Sequence, residues 1–203
     1  HNQSRRQRQM CIRDRVLGGG NIFRGRDLKD IKIDRVSADY IGMLSTIMNG
    51  IALSNFLREK GHSNKLFSSF AIGNFVQAYN TEDALNALMN QKVVLLVGGI
   101  GNPLFTTDST ASIRANELEV DFMLKATNVN GVYDTDPKEN PKAKKFENLT
   151  FDDAINQNLQ VMDQTALCFC RDNNLQVRVF NADEKDGFEK AISGEEIGTL
   201  LKN

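Results

Sequence analysis

Histidine is nearly absent from this 203-residue sequence: His1 and His62 are the only two, and neither lies near a candidate motif. Chemistry that needs an imidazole base or a histidine-held metal is thereby disfavoured. Cysteine is scarce as well, and Cys11, Cys168 and Cys170 are too few and too unevenly spaced for a disulfide framework or a zinc site. Cys168 and Cys170 read as small thiols in a core helix, and the expected setting is the cytoplasm. No apolar run approaches the roughly 20 residues of a membrane span, and no apolar stretch follows the first arginines as it would in a secretory signal. No membrane partner is expected. The formal charge of −1 hides an asymmetry: residues 1–15 carry five arginines and one aspartate, while the rest has 20 bases against 25 acids. A mildly acidic body argues against general nucleic-acid binding. What remains for chemistry is Lys, Arg, Asp, Thr and backbone amides, an inventory suited to phosphoryl transfer, which depends on positioning and charge neutralisation.

The most informative stretch starts with the run Val93-Val94-Leu95-Leu96-Val97, apolar throughout and bounded by Lys92 and Gly98-Gly99. Such a run predicts a central strand buried on both faces of a parallel sheet. Gly98, Gly99 and Gly101 at its end let the backbone turn sharply and approach a ligand. Thr106, Thr107, Asp108 and Ser109 then offer capping oxygens to a helix predicted over 109–118. Strand, glycine loop, polar cap and helix make either an ordinary connection or a phosphate site at a strand end. A second glycine cluster, Gly18-Gly19-Gly20-Asn21, follows Val16-Leu17, which reads as the end of a strand. Its amides can face an anion, and Arg24 supplies a planar donor fork. A third turn-rich segment, 127–137, is either an exposed loop or a nucleotide platform with Tyr133 against a base and Asp136 accepting hydrogen bonds.

Between these segments the periodicity alternates. Residues 1–15 predict no stable element, and 26–36 a charged loop. A long helix is expected over 38–60, ended by Gly61, with Asp39 in its first turn either favouring the dipole or accepting a ribose hydroxyl. A short strand at 65–67 precedes a helix capped by Thr81. Strands at 122–126 and 177–180, helices at 151–157, 164–172 and 187–193, and a possible edge strand in the tail 197–201 complete the pattern. Alternating strands and helices give an α/β sandwich with a mostly parallel sheet. No internal repeat or linker interrupts residues 16–203, which are expected to form one domain. The three turn-rich segments each follow a strand and are expected at one edge of the sheet.

In order and wording, Gly18 to Gly25, Asp39 to Leu44, Met48-Asn49-Gly50, Gly101 to Asp108 and Lys125 to Tyr133 closely resemble the bacterial uridylate kinases of the amino-acid kinase superfamily. No Walker sequence occurs, in line with that fold. The resemblance implies a three-layer α/β/α sandwich, MgATP-dependent conversion of UMP to UDP in pyrimidine nucleotide synthesis, and a homohexamer. It carries over Gly19 and Thr107 to the UMP phosphate and Asp39 to its ribose. Ile100, Gly101, Asn102, Pro103, Leu104, Phe105 and Thr106 would wrap the uracil and phosphate. Gly20 and Arg24 would approach the transferring phosphoryl group, and Asp108 would orient the phosphate-neutralising groups or Mg²⁺. Thr127, Asn128, Tyr133 and Asp136 would form the ATP side. GTP and UTP are effectors the resemblance implies without locating a site, and no dedicated metal-ligand set is expected from the protein.

The sequence departs from that pattern at its start. The family has a first strand leading to Lys-x-Ser-Gly, whose lysine bridges the ATP phosphates, whereas the first lysine here is Lys29. Residues 1–15 match nothing in the pattern and read as a non-coding or linker stretch, so little kinase activity is expected of the chain as printed. Two other readings stand beside this one: a superfamily relative phosphorylating a carboxylate or carbamate, and a non-catalytic nucleotide-binding module.

Overall fold

The computed structural model describes residues 14–23 and 33–203. Arg24, most of the charged loop and residues 1–13 lie outside the described residues. The chain divides into two compact units, residues 1–110 and 111–203.

The sheet of the first unit has four parallel strands in the order β1 (Asp14–Val16), β4 (Val93–Val97), β2 (Asn64–Ser68) and β3 (Gln77–Ala78). Strand β4 is interior, with Arg15 opposite Leu95 and Phe67 opposite Leu96, and its last four residues are buried. The apolar run therefore does what its composition predicts: with neighbours on both edges and cover on both faces, it has no water-facing side. Strand β1 begins at Asp14, inside the stretch for which no stable element was expected. Three residues suffice because β4 supplies a ready hydrogen-bonding edge.

Helix α1 (Arg35–Glu59) covers this sheet. Gly50 permits the close approach, since a Cβ there would lie 2.5 Å from Val97 Cγ1 and 2.9 Å from Leu66 Cδ1. Ile47, Val76 and Val97 form a small core with Leu17, Leu66 and Phe70 packed against it. The helix starts three residues before its expected position because Asp34 caps it, accepting from the Ser37 amide. Asp39 is thus beyond the first turn and does not serve the helix terminus. The helix ends where expected: Gly61, at φ 81°, donates to the Arg58 carbonyl. By length and composition alone, with an 18-residue window of mean hydropathy 1.2, the 25-residue α1 passes the test for a membrane span, a test that the core helix of a soluble protein passes too. Its packing on β2 and β4 accounts for the apolar residues facing them. Helix α2 (Thr81–Met89) is capped by Asn80 through the Asp83 amide, so Thr81 is its first helical residue and not its cap.

Helix α3 (Thr107–Glu117) runs across the division between the units. The second unit has a mostly parallel sheet in the order β5 (Phe122–Thr127), β7 (Gln176–Asn181), β8 (Thr199–Lys202) and β6 (Asn148–Thr150). Pairs β5–β7 and β6–β8 are parallel and β7–β8 is antiparallel. The tail strand is therefore interior and not an edge. Helices α4 (Phe151–Asn156), α5 (Gln164–Asp172) and α6 (Gly187–Ser193) accompany this sheet. Its core gathers Phe151, Leu167, Val177, Val179 and Leu201. Cys170 is buried there, its thiol 3.3 Å from Ser112 Oγ. The α/β class with mostly parallel strands is as expected. Of the three turn-rich segments, two leave the first sheet, after β1 and β4, and the third leaves the second sheet after β5.

Candidate active site

In the first unit, β1 and β4 are parallel neighbours, so the loops after them leave from one sheet edge, the usual place for ligands in α/β folds. The first loop turns tightly: Gly19 offers its carbonyl to the amides of both Ile22 and Phe23 at 3.0 Å. Gly19 also lies against α1, where a Cβ would stand 2.8 Å from the Gly42 carbonyl oxygen and 2.8 Å from Ser45 Cβ. Only glycine fits that approach. Asn49 holds the loop from α1, donating to the Gly18 carbonyl at 2.8 Å and exchanging amide hydrogen bonds with Asn21 at 2.7 and 3.1 Å.

The second loop is tied to the same helix. Thr46 Oγ1 accepts from the Gly98 amide at 2.7 Å while donating to Met43 one turn back. Gly98, Gly99 and Gly101 all have positive φ, and Leu104 adopts φ 73° without being glycine. Ser69 Oγ donates to the Gly99 carbonyl, and the Leu104 amide donates to Asp39 Oδ2 at 2.8 Å. Asp39 therefore joins the loop after β4 to α1. Arg35, one turn earlier, holds the same carboxylate through Nε at 2.9 and 3.0 Å. Ile100 and Gly101 are half-buried, Asn102 is exposed and Pro103 half-buried along this loop. Leu104 and Phe105 are 65% and 48% exposed, apolar surface held in water beside polar groups. Such a surface is suited to covering a planar ring.

Thr106 Oγ1 accepts from the amides of Asp108 and Ser109 at 3.1 and 3.2 Å, capping α3. Thr107 is exposed at the first turn and Asp108 half-buried beside it. The structure thus brings Gly19, Gly20, Asp39, the 100–107 loop and Asp108 together in one unit. A polar cavity of about 220 Å³ elsewhere in this unit, lined by Lys65, Gln77, Asp83, Asn86 and Lys92, includes none of these residues.

The second unit holds the other expected set. Thr127 Oγ1 donates to the Val129 carbonyl at 2.8 Å, so its hydroxyl shapes the start of the loop. Asn128 is exposed and Tyr133 half-buried, with Tyr133 bridged through its backbone to Lys145. Asp136 Oδ1 accepts from the Lys138 amide at 2.8 Å, and Asp134 Oδ1 from the Lys144 amide at 2.9 Å. Buried Thr199 accepts from the Val132 amide at 2.8 Å and donates to the Phe146 carbonyl. The 127–146 segment is thereby a built loop and not merely a collection of turn formers. Among the described residues no group of three or more His, Cys, Asp or Glu side chains is placed to hold a metal.

Sequence reasoning did not assign roles to Arg35, Thr46, Asn49 or Thr199. Spacing carried a signal for three of them: 35, 39, 42, 46 and 49 recur at helical intervals, putting polar residues on the α1 face that bears Asp39.

Residues 12–181 match the amino acid kinase family. The chain belongs to that family. It is 44% identical over 186 residues to a uridylate kinase of Haemophilus influenzae, covering 92% of this chain and 78% of that protein. A uridylate kinase of Bacteroides thetaiotaomicron is 43% identical over 188 residues, covering 93% and 80%. Among solved structures, the UMP kinase of Ureaplasma parvum superposes with a TM-score of 0.90 at 39% identity, over 100% of this chain and 86% of that one. The UMP kinase of Bacillus anthracis gives 0.89 at 37%, over 98% and 87%. The family match opens at residue 12, within the stretch for which no match was expected.

Proposed function

We propose that this member of the amino acid kinase family transfers the γ-phosphoryl group of ATP to UMP, giving UDP and ADP in pyrimidine nucleotide synthesis in the cytoplasm. One observation carries the reading. The 100–108 acceptor loop leaves β4 beside the glycine loop of β1, and Asp39 of α1 bonds it, in a chain whose relatives are named uridylate kinases. In this reading Gly19 and Thr107 hold the UMP phosphate, Asp39 the ribose, and residues 100–106 the base. Gly20 and Arg24 approach the transferring group. Thr127, Asn128, Tyr133 and Asp136, in the second unit, take ATP.

The chemistry asks little of proton transfer. A phosphate monoester is largely deprotonated at neutral pH, so the accepting oxygen has no proton to lose. As it bonds to the γ-phosphorus, the bond to the departing ADP oxygen breaks, and the cost lies in alignment and in negative charge on the equatorial oxygens. Backbone amides, the N-terminus of α3 and Arg24 answer that need. The donor set suits Mg²⁺, which binds through one or two carboxylates plus phosphates and keeps its waters; Asp108 is such a carboxylate. When bound, the ion supplies positive charge to the phosphates. We also propose assembly as a homohexamer, with GTP and UTP as effectors.

The test is a coupled ADP-release assay with UMP, CMP and N-acetylglutamate as acceptors. It is run on the chain as printed and on the chain joined behind a strand carrying Lys-x-Ser-Gly. UMP-dependent turnover, greater with the added lysine loop, is the expected result. Turnover with N-acetylglutamate alone would overturn the acceptor assignment. Nucleotide binding without turnover in either form would favour a binding module.

A further inference from the structure

Arg35 precedes Asp39 by one turn of α1, and its Nε–H lies 2.9 and 3.0 Å from the two carboxylate oxygens. An exposed ion pair of this spacing is often only a surface contact. Three observations set this one apart. A cation at the first helical position sits at the positive end of the helix dipole, and a cation before an anion is the less favourable order along a helix. Helix stability therefore gives no reason for Arg35 to be there; Asp34 and Ser37 already satisfy that terminus. The Asp39 side chain is only 21% exposed although that of Arg35 is 67% exposed. Finally, Asp39 carries a bond spanning 65 residues to the Leu104 amide, a backbone position at φ 73°.

Counting lone pairs shows what the arrangement leaves. Oδ2 receives the Leu104 amide and shares the Arg35 Nε–H, while Oδ1 receives only the latter. Each carboxylate oxygen accepts two hydrogen bonds, so Oδ1 keeps a lone pair in a fixed direction. We propose that Arg35 is a positioning residue that fixes the Asp39 carboxylate against the Leu104 amide, so that Oδ1 is set to accept a sugar hydroxyl of the acceptor nucleotide. This rests on the nucleotide-acceptor reading above. Without the guanidinium the carboxylate turns about its side-chain bonds, and the acceptor loop and the hydroxyl contact loosen together.

The test is calorimetric binding to the full chain, which needs no turnover. The ligands are UMP and its 2′-deoxy and 3′-deoxy forms; the proteins are the parent, R35A, R35K, D39N and the R35A/D39N double variant. The parent should favour UMP over at least one deoxy form. In R35A, UMP affinity should fall about tenfold, the scale of one charge-assisted hydrogen bond, and the deoxy form should lose less. R35K, which keeps the charge without the planar Nε–H, should fall between, and the double variant should bind like D39N because Arg35 acts through that carboxylate. Far-UV spectra and melting midpoints should match the parent's. R35A with unchanged UMP affinity, or with equal losses for all three ligands, overturns the inference alone. Failure of the parent to bind UMP overturns the acceptor reading and the inference with it.

Discussion

Single atoms decide much at this site. Gly19 has α1 backbone where a methyl would go, and Leu104 holds a left-handed conformation that its own side chain disfavours. The loop tolerates it because Asp39 takes the Leu104 amide. Asp34 shows the same economy at the start of α1: its carboxylate accepts from the Ser37 amide at 3.0 Å and the Ser37 hydroxyl at 2.6 Å. Those bonds lower its pKa below 3.8, the side-chain hydrogen bond most. A depressed carboxyl contributes stability that is present above the unfolded value and lost as pH falls through the folded one. Asp34→Ala should therefore lower the melting midpoint at pH 7, and the gap to the parent should shrink as pH drops below 3.8. Melting curves across that range check it; Asp34→Asn, which still caps but carries no charge, should fall between the two at pH 7 and lack the pH dependence that Asp34 brings.

At the scale of elements, α1 organises the first unit. Asp39 reaches the loop after β4, Thr46 the end of β4, Asn49 the glycine loop, and Gly50 lets the sheet approach. Thr46→Val removes the acceptor of the Gly98 amide in a buried place, and should cost about 1–3 kcal/mol in a urea unfolding measurement. Much of this was legible beforehand. Strand β4 announced itself by five apolar residues, and α5 and α6 have their expected bounds. The start of α1 was hidden because Asp34 and Arg35 continue a charged stretch, and charge alone does not tell a loop from a capped first turn. Strands β3 and β6, of two and three residues, are too short to show a period. The tie from Asp39 to Leu104 was invisible for another reason: no local pattern records a bond across 65 residues.

For the whole molecule, the outward face of α1 matters most. Tyr40, Leu44, Met48 and Ile51 recur at three- and four-residue steps, and Leu44 and Met48 are 49% and 59% exposed. If the proposed assembly uses this face, Met48→Glu should lower the mass measured by sedimentation while leaving the monomer folded, since the side chain already meets water; an unchanged mass would place the contact elsewhere. The two units also differ in how their sheets are completed. Every strand of the first sheet has been written by Val97, but β8, interior to the second, is encoded after every other strand. During synthesis on the ribosome the first sheet can close while most of the second unit is still untranslated. The second must wait, with β6 and one edge of β7 unpaired, until residues 199–202 emerge. A stalled or nicked message therefore yields a nascent chain with one finished half and one sticky one, and that half is the substrate for chaperones and proteases.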